Sequence, residues 1–151
     1  MARTWLSIRI ELLGGRGEEL WPQPGRVLAV GPGHTFADLA EAIDVALARW
    51  DRAHLCEFLL ADGTIVTDSG SAEEMVDSPA TSFAVPALHL GATKVASGVR
   101  PGDEFCYVFD LGDMWTHRCV VEEDKIDPSV VLGASPRRPT AYWGWGDIPD
   151  H

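Results

Sequence analysis

The chain reads as an α+β protein, with one main amphipathic helix over about residues 35–50 packed on a mostly antiparallel sheet. Three observations predict this class. Phe36, Leu39, Ala40, Ile43, Leu47 and Trp50 recur at helical spacing, so they form one apolar stripe. Several other segments alternate apolar and polar residues at period two, the pattern of a half-buried strand. Glycines, prolines and an Asp-Gly pair punctuate those segments, as turns between strands require.

In residues 4–12, Leu6, Ile8, Ile10 and Leu12 share one face against Ser7, Arg9 and Glu11, which predicts the first strand. Gly14-Gly15-Arg16-Gly17 is a turn or flexible loop. Trp21-Pro22-Gln23-Pro24-Gly25 breaks the chain before a second short strand at 26–30, which Gly31-Pro32-Gly33 closes. Thr35 then caps the helix, with Asp38 three residues on as a variant capping box. Asp38, Glu41, Asp44 and Arg49 are assigned to the helix surface, and the apolar stripe to the core.

Residues 54–60 are strand-like, Asp62-Gly63 signals a hairpin, and 64–67 return. A short helical turn is expected at 71–75. Residues 77–92 mix two prolines with apolar side chains and carry only a short strand signal, at 83–85. Residues 94–98 fit a short strand or a turn of helix, and 100–103 a turn. Two strands follow, 104–109 and 113–122, as a hairpin over 104–122. From residue 127 prolines, glycines and Trp143-Gly144-Trp145 dominate, which predicts an irregular tail over 127–151. No internal repeat is visible, and residues 1–151 are read as a single domain.

The composition is that of an ordinary globular chain, with 46% hydrophobic and 23% charged residues. No apolar run approaches the roughly 18 residues of a membrane span. Arg9 and Glu11 interrupt the N-terminal segment, which argues against a signal peptide, and a cytoplasmic protein with no membrane contact is expected. The net charge of −11 repels nucleic acid unless basic residues cluster, and the only tight basic spot is Arg137-Arg138. A partner with a basic face, or solubility alone, accounts better for the charge. Cys56, Cys106 and Cys119 lack CxxC spacing, so they are read as buried free thiols, with no disulfide, zinc site or other cofactor expected.

Residues 105–117 concentrate the chain's chemically capable side chains. A two-residue loop at Leu111-Gly112 would set Asp110 opposite Asp113, two like charges in contact. A three-residue loop, Asp110 to Gly112, is preferred, with Asp110 forming the turn and Gly112 supplying a positive φ. That register pairs Phe109 with Asp113, Tyr107 with Trp115 and Phe105 with His117. It puts Phe105, Tyr107, Phe109, Trp115, His117 and Cys119 on one face. Asp113 and His117 lie four strand residues apart, about 13 Å, too far to share one metal ion without a bulge or a further ligand. Turn capping by Asp110 and a hydrogen-bonded His117 beside an aromatic cluster is the simpler reading.

Residues 35–43, Trp50 and 54–58 resemble the helix and following strand of the plasmid pRi ORF-three-like family. Residues 105–117 resemble its signature, an aromatic strand followed by Asp-x-Gly-Asp-x-Trp-x-His, here Asp110, Gly112, Asp113, Trp115 and His117. The resemblance runs over roughly residues 4–133. Many members carry a Cys-Pro-Pro-Glu-Asp-Cys-Gly-Gly stretch near the end, where this chain has Ser135 to Trp145 without cysteine. The resemblance implies an α+β fold and an association with plasmids and insertion elements. Such proteins are also catalogued as insertion-element passenger or TnpR resolvase-like proteins. No activity is implied, and a resolvase role does not suit an acidic chain with no basic DNA-binding segment.

The leading functional expectation is a non-enzymatic binding or accessory module whose partner is a protein or small ligand rather than nucleic acid. Its candidate binding residues are Tyr107, Asp110, Asp113, Trp115, His117, Trp143 and Trp145, with Tyr142 beside them, since tryptophan and tyrosine are favoured anchors. Two alternatives are a metal-assisted hydrolase using Asp110, Asp113 and His117, and a nucleic-acid-associated protein using Arg137 and Arg138.

Overall fold

The computed structural model describes residues 4–49, 55–67 and 87–147. They form one mostly antiparallel sheet of nine described strands with a single long helix, α1 (Phe36–Ala46), on one face. The strands are β1 (Leu6–Gly15), β2 (Glu18–Glu19), β3 (Gly25–Val30), β4 (Cys56–Leu59), β5 (Ile65–Thr67), β6 (Ala87–His89), β7 (Glu104–Phe109), β8 (Trp115–Val121) and β9 (Thr140–Trp145). They lie in the order β6-β5-β4-β7-β8-β1-β3-β9, with β2 appended to β1. Only β5 and β6 pair in parallel. Two single-turn helices, α2 (Val95–Gly98) and α3 (Pro128–Val131), complete the described elements with a 3-10 turn at Leu90–Ala92. Among the described residues no helix is long and apolar enough to cross a membrane.

The sheet explains the alternation in β1. Leu6, Ile8, Ile10 and Leu12 are buried under the helix, whereas Arg9 and Glu11 point to the face opposite α1. β1 runs on to Gly15 and turns back through Arg16 and Gly17, both with positive φ (55° and 77°). That suits a two-residue hairpin loop. At the second hairpin, Gly63 has φ 89° and the Asp62 carboxylate accepts from the Thr64 N–H at 2.9 Å, as the Asp-Gly pair predicts.

Helix α1 starts as expected. Thr35 Oγ1 accepts from the Asp38 N–H, and Asp38 Oδ2 accepts from the Thr35 N–H. It ends earlier than the predicted residue 50. The Arg49 N–H reaches the Asp44 carbonyl and the Ala48 N–H the Val45 carbonyl, which is a Schellman closure with Ala48 left-handed at φ 58°. No glycine marks this stop. Asp44 and Arg49, assigned to the surface, are instead buried at 5% exposure each, because the closure folds Arg49 back beneath the helix. Phe36, Leu39, Ala40, Ile43 and Leu47 form the expected core stripe. Trp50, His54 and the elements expected at 71–75 and 83–85 lie outside the described residues.

The hairpin of β7 and β8 adopts another register than expected. Phe109 pairs with Trp115, Tyr107 with His117 and Phe105 with Cys119, so five residues form the loop. The slip is two residues, an even number, and the predicted division of faces survives it. Gly112 does not supply the left-handed turn, whereas Asp110 (φ 59°) and Met114 (φ 57°) do. Asp110 tolerates that conformation because its Oδ1 accepts from the N–H groups of Gly112 (3.0 Å) and Asp113 (3.3 Å). The segment from 127 is more regular than an irregular tail. Asp127 caps α3, and β9 pairs along β3, a partner that local sequence does not reveal.

Candidate functional site

The residues singled out by sequence separate into three places: the core beneath α1, the tip of the β7–β8 hairpin, and the opposite face of the sheet. Tyr107, His117 and Trp115 lie in the core beneath α1. Phe58 stacks on Tyr107 with ring centroids 4.7 Å apart, and Tyr107 lies 5.1 Å from the His117 ring. A polar network runs through this apolar setting. The Tyr107 hydroxyl donates to Asp44 at 3.0 Å, and Arg49 Nη1 donates to the same carboxylate at 2.8 Å. Arg49 Nη2 donates to His117 Nε2 at 2.7 Å, and His117 Nδ1 meets the Tyr107 carbonyl at 2.9 Å.

These partners fix the protonation pattern. A carbonyl only accepts and a guanidinium only donates, so His117 carries its proton on Nδ1 and is neutral. Burial pushes the Tyr107 hydroxyl well above its ordinary range, with Asp44 adding to the effect, so the phenol keeps its proton and donates it. Burial also lowers Arg49, against the opposing charge of Asp44. The Arg49 guanidinium lies 4.7 Å from the centre of the Phe109 ring, and its Nε is buried without a hydrogen-bond partner among the described residues. Sequence reasoning missed Asp44 and Arg49. Both sit on or just after a helix that reads as amphipathic, and nothing local marks their burial.

Asp110 and Asp113 are at the hairpin tip, away from His117's partners. Asp113 Oδ2 accepts from Arg16 Nε at 3.0 Å, and its carbonyl accepts from the Arg16 N–H. That joins the β7–β8 tip to the β1–β2 turn. Trp115 lies flat on Gly15, where an added Cβ would come within 2.4 Å of the indole. Four of the five lettered positions of the Asp-x-Gly-Asp-x-Trp-x-His signature therefore have a structural role: Asp110 in the turn, Asp113 as a tether, Trp115 in packing and His117 in a buried hydrogen bond. Asp110, Asp113 and His117 each serve a separate contact. Among the described residues no group of three or more His, Cys, Asp and Glu side chains is placed to hold a metal ion.

Trp143 and Trp145 lie elsewhere, on the sheet face that α1 does not cover. Trp145 lies over Gly25, where a Cβ would come within 2.1 Å of its ring, and its Nε1 donates to the Gln23 carbonyl at 3.1 Å. From there the indole reaches the Arg9 guanidinium, 4.4 Å from the ring centre. Trp143 stands out at 68% exposure. Behind them Tyr142 is hydrogen-bonded to the Ser7 hydroxyl, which donates to Glu122 Oε1 at 2.5 Å. Ser7 has one hydroxyl hydrogen, so the Tyr142 hydroxyl is the donor to it.

These side chains border a cleft of about 480 Å³ lined by Arg9, Val27, Glu122, Tyr142, Trp143 and Trp145. A second cleft of about 650 Å³ shares Arg9, Glu122 and Tyr142 and continues past Ser7 and Val120 to Glu123, Asp124 and Ile126. Arg9 and Glu122 were not among the expected site residues. The only local signal was Arg9 on the polar side of the alternating β1 strand. Of the two arginines in the nucleic-acid alternative, Arg138 is paired with Glu41 at 2.7 Å.

A family model for the plasmid pRiA4b ORF-3-like protein matches residues 5–140. Among solved structures, the chain is similar to a protein of unknown function, MM3350, from Methanosarcina mazei Go1. The two are 20% identical with a TM-score of 0.67, over 93% of this chain and 68% of the other. That likeness shows a shared fold. No curated protein matches.

Proposed function

This chain belongs to the plasmid pRiA4b ORF-3-like protein family, and from that premise we propose that it acts as a non-enzymatic binding module through the sheet face opposite α1. The contact surface is the double cleft around Arg9, Tyr142, Trp143 and Trp145. The family's plasmid setting suggests an accessory role beside a mobile element, in the cytoplasm. One observation carries the reading: Trp143 is 68% exposed beside a second indole and an arginine held in place by a glycine-floored stack. An exposed indole beside a cleft is the kind of anchor that dominates binding energy at protein contacts. Of the other named candidates, Tyr107, Trp115 and His117 pack on the α1 side of the sheet, and Asp110 and Asp113 hold the hairpin tip.

The test is site-specific crosslinking in cells. A photoreactive benzoyl-phenylalanine replacing Trp143 is expected to give a discrete adduct that Arg9→Ala weakens. The same group replacing Val45, which is 60% exposed on α1, serves as the control. Identical adducts at both positions, or none at 143, would remove the reading.

A further inference from the structure

Tyr142, Trp143 and Trp145 share one face of the sheet because β9 is bulged. Trp143 pairs with Val27 and Ala141 with Leu28, which leaves Tyr142 as an extra residue. Side chains of a regular strand alternate between faces, so the bulge is what turns Tyr142 to the side of Trp143 and Ser7. Tyr142 and Trp145 then cross β3 to β1. Tyr142 reaches Ser7, and Trp145 passes over Gly25 to Arg9. Val27 is in register with Arg9 on β1 and with Trp143 on β9, and it gives the cleft of about 480 Å³ an apolar floor.

The polar atoms around this floor are uncommitted. Among the described residues the Arg9 guanidinium makes no hydrogen bond, since it lies on the Trp145 ring and 3.7 Å from Glu11. Glu122 uses Oε1 for Ser7 and leaves Oε2 without a partner among those residues. The Trp143 indole N–H has none among them either. Tyr142 donates its hydroxyl hydrogen to Ser7, so its oxygen is left as an acceptor. One cation and one carboxylate line the cleft, and donors and acceptors both border its floor. Trp143 comes from β9, Arg9 from β1 and Glu122 from the end of β8, so these groups stand on both sides of Val27 rather than along one line.

A guest that matches this cleft is apolar on a flat face, polar around its rim, and able both to donate and to accept. A pyranose sugar has that form. C–H bonds cover its face, and each rim hydroxyl donates one hydrogen bond and accepts others. An extended peptide carries its polar groups along its axis instead. A nucleotide adds phosphate beside Glu122 in a chain of net charge −11. We infer that the cleft binds a neutral sugar ring, face down on Val27 and Trp143, with its hydroxyls on Arg9, Glu122 and Tyr142. This deepens the binding-module reading and rests on it.

The experiment titrates the intact chain with neutral oligosaccharides of glucose, mannose, galactose, xylose and N-acetylglucosamine, with guanosine and adenosine beside them. Tryptophan fluorescence and calorimetric heat report binding. Expected is binding of at least one sugar at millimolar concentration or below, with a shifted tryptophan emission. Affinity should fall about tenfold or more in Trp143→Ala and in Arg9→Ala. It should stay unchanged as salt rises, because the guest carries no charge to screen. Trp143 is exposed, so its truncation leaves the core intact, and circular dichroism checks the fold of both variants. Sugar binding that Trp143→Ala leaves unchanged would overturn the site. Nucleoside binding without sugar binding would overturn the ligand class. No sugar bound, with a discrete crosslink at 143, would overturn this inference alone and leave the binding module standing. No sugar bound and no crosslink would overturn both.

Discussion

Arg49 and His117 meet at 2.7 Å in the core, with the guanidinium donating to Nε2 of a ring whose Nδ1 is held by the Tyr107 carbonyl. The histidine that a sequence reader would nominate for catalysis is thus a neutral acceptor for a buried cation. Asp44 completes the pair with its carboxylate at 2.8 Å from Arg49. The network ties the end of α1 to the centre of the β7–β8 hairpin.

Removing both members should cost less than the two single losses added together. Arg49→Leu leaves Asp44 charged and buried, and a loss of about 3–5 kcal/mol is expected in equilibrium urea unfolding. Asp44→Leu/Arg49→Leu should lose less than the sum of the single variants, with a coupling of about 0.5–3 kcal/mol. Additive losses would show that the pair does not act as a unit.

Ala48→Gly should stabilise the protein. Ala48 is exposed and left-handed at φ 58°, so the substitution removes a steric penalty and little packing. A gain of up to about 1 kcal/mol is expected from the unfolding midpoint, with an unchanged denaturant slope. A loss would mean that the Schellman closure contributes less than the added freedom of glycine in the unfolded chain.

Gly15→Ala should destabilise by about 1–3 kcal/mol, because the new methyl meets the Trp115 ring. Near-ultraviolet circular dichroism should report the displaced indole. Gly17→Ala is a useful contrast, since nothing lies within 4 Å of its added Cβ and only its φ of 77° opposes it.

His34 predicts a pH dependence. Its Nδ1 accepts from the Gly31 N–H at 2.8 Å, and its ring meets Trp5 edge-on at 5.0 Å. Burial lowers its pKa, while Asp38 and the carbonyls of Pro136 and Arg137 oppose the shift in part. The unfolded chain therefore takes up the proton first as pH falls. This contribution to stability is present above the ordinary histidine value of 6.5 and is lost as pH drops through it toward the lower folded value. Thermal unfolding followed over that range should show a steeper acid decline in the wild type than in His34→Gln.

Much of the architecture was legible because it rests on local rules. The Thr35–Asp38 cap, the stripe from Phe36 to Leu47, the alternation of β1 and the Asp62-Gly63 turn all obey spacing along the chain. So does the division of the β7–β8 hairpin into an aromatic and a mixed face, which an even slip in register cannot disturb. The α+β class followed from those elements together.

What only the tertiary structure decided depends on partners far apart in sequence. Arg49 is buried because Asp44, Tyr107 and His117 are there to receive it, and its own surroundings in the chain hold no sign of them. The long hairpin loop closes because Asp110 satisfies its backbone and Arg16 holds Asp113 from another hairpin. Thr140–Trp145 becomes a strand because β3 offers a free edge and Gly25 leaves room for Trp145. Sequence alone determined which residues have a helical or a strand face. The fold decided which polar groups those faces enclose and which aromatics they leave exposed, because burial and pairing are set by contacts between segments rather than within them.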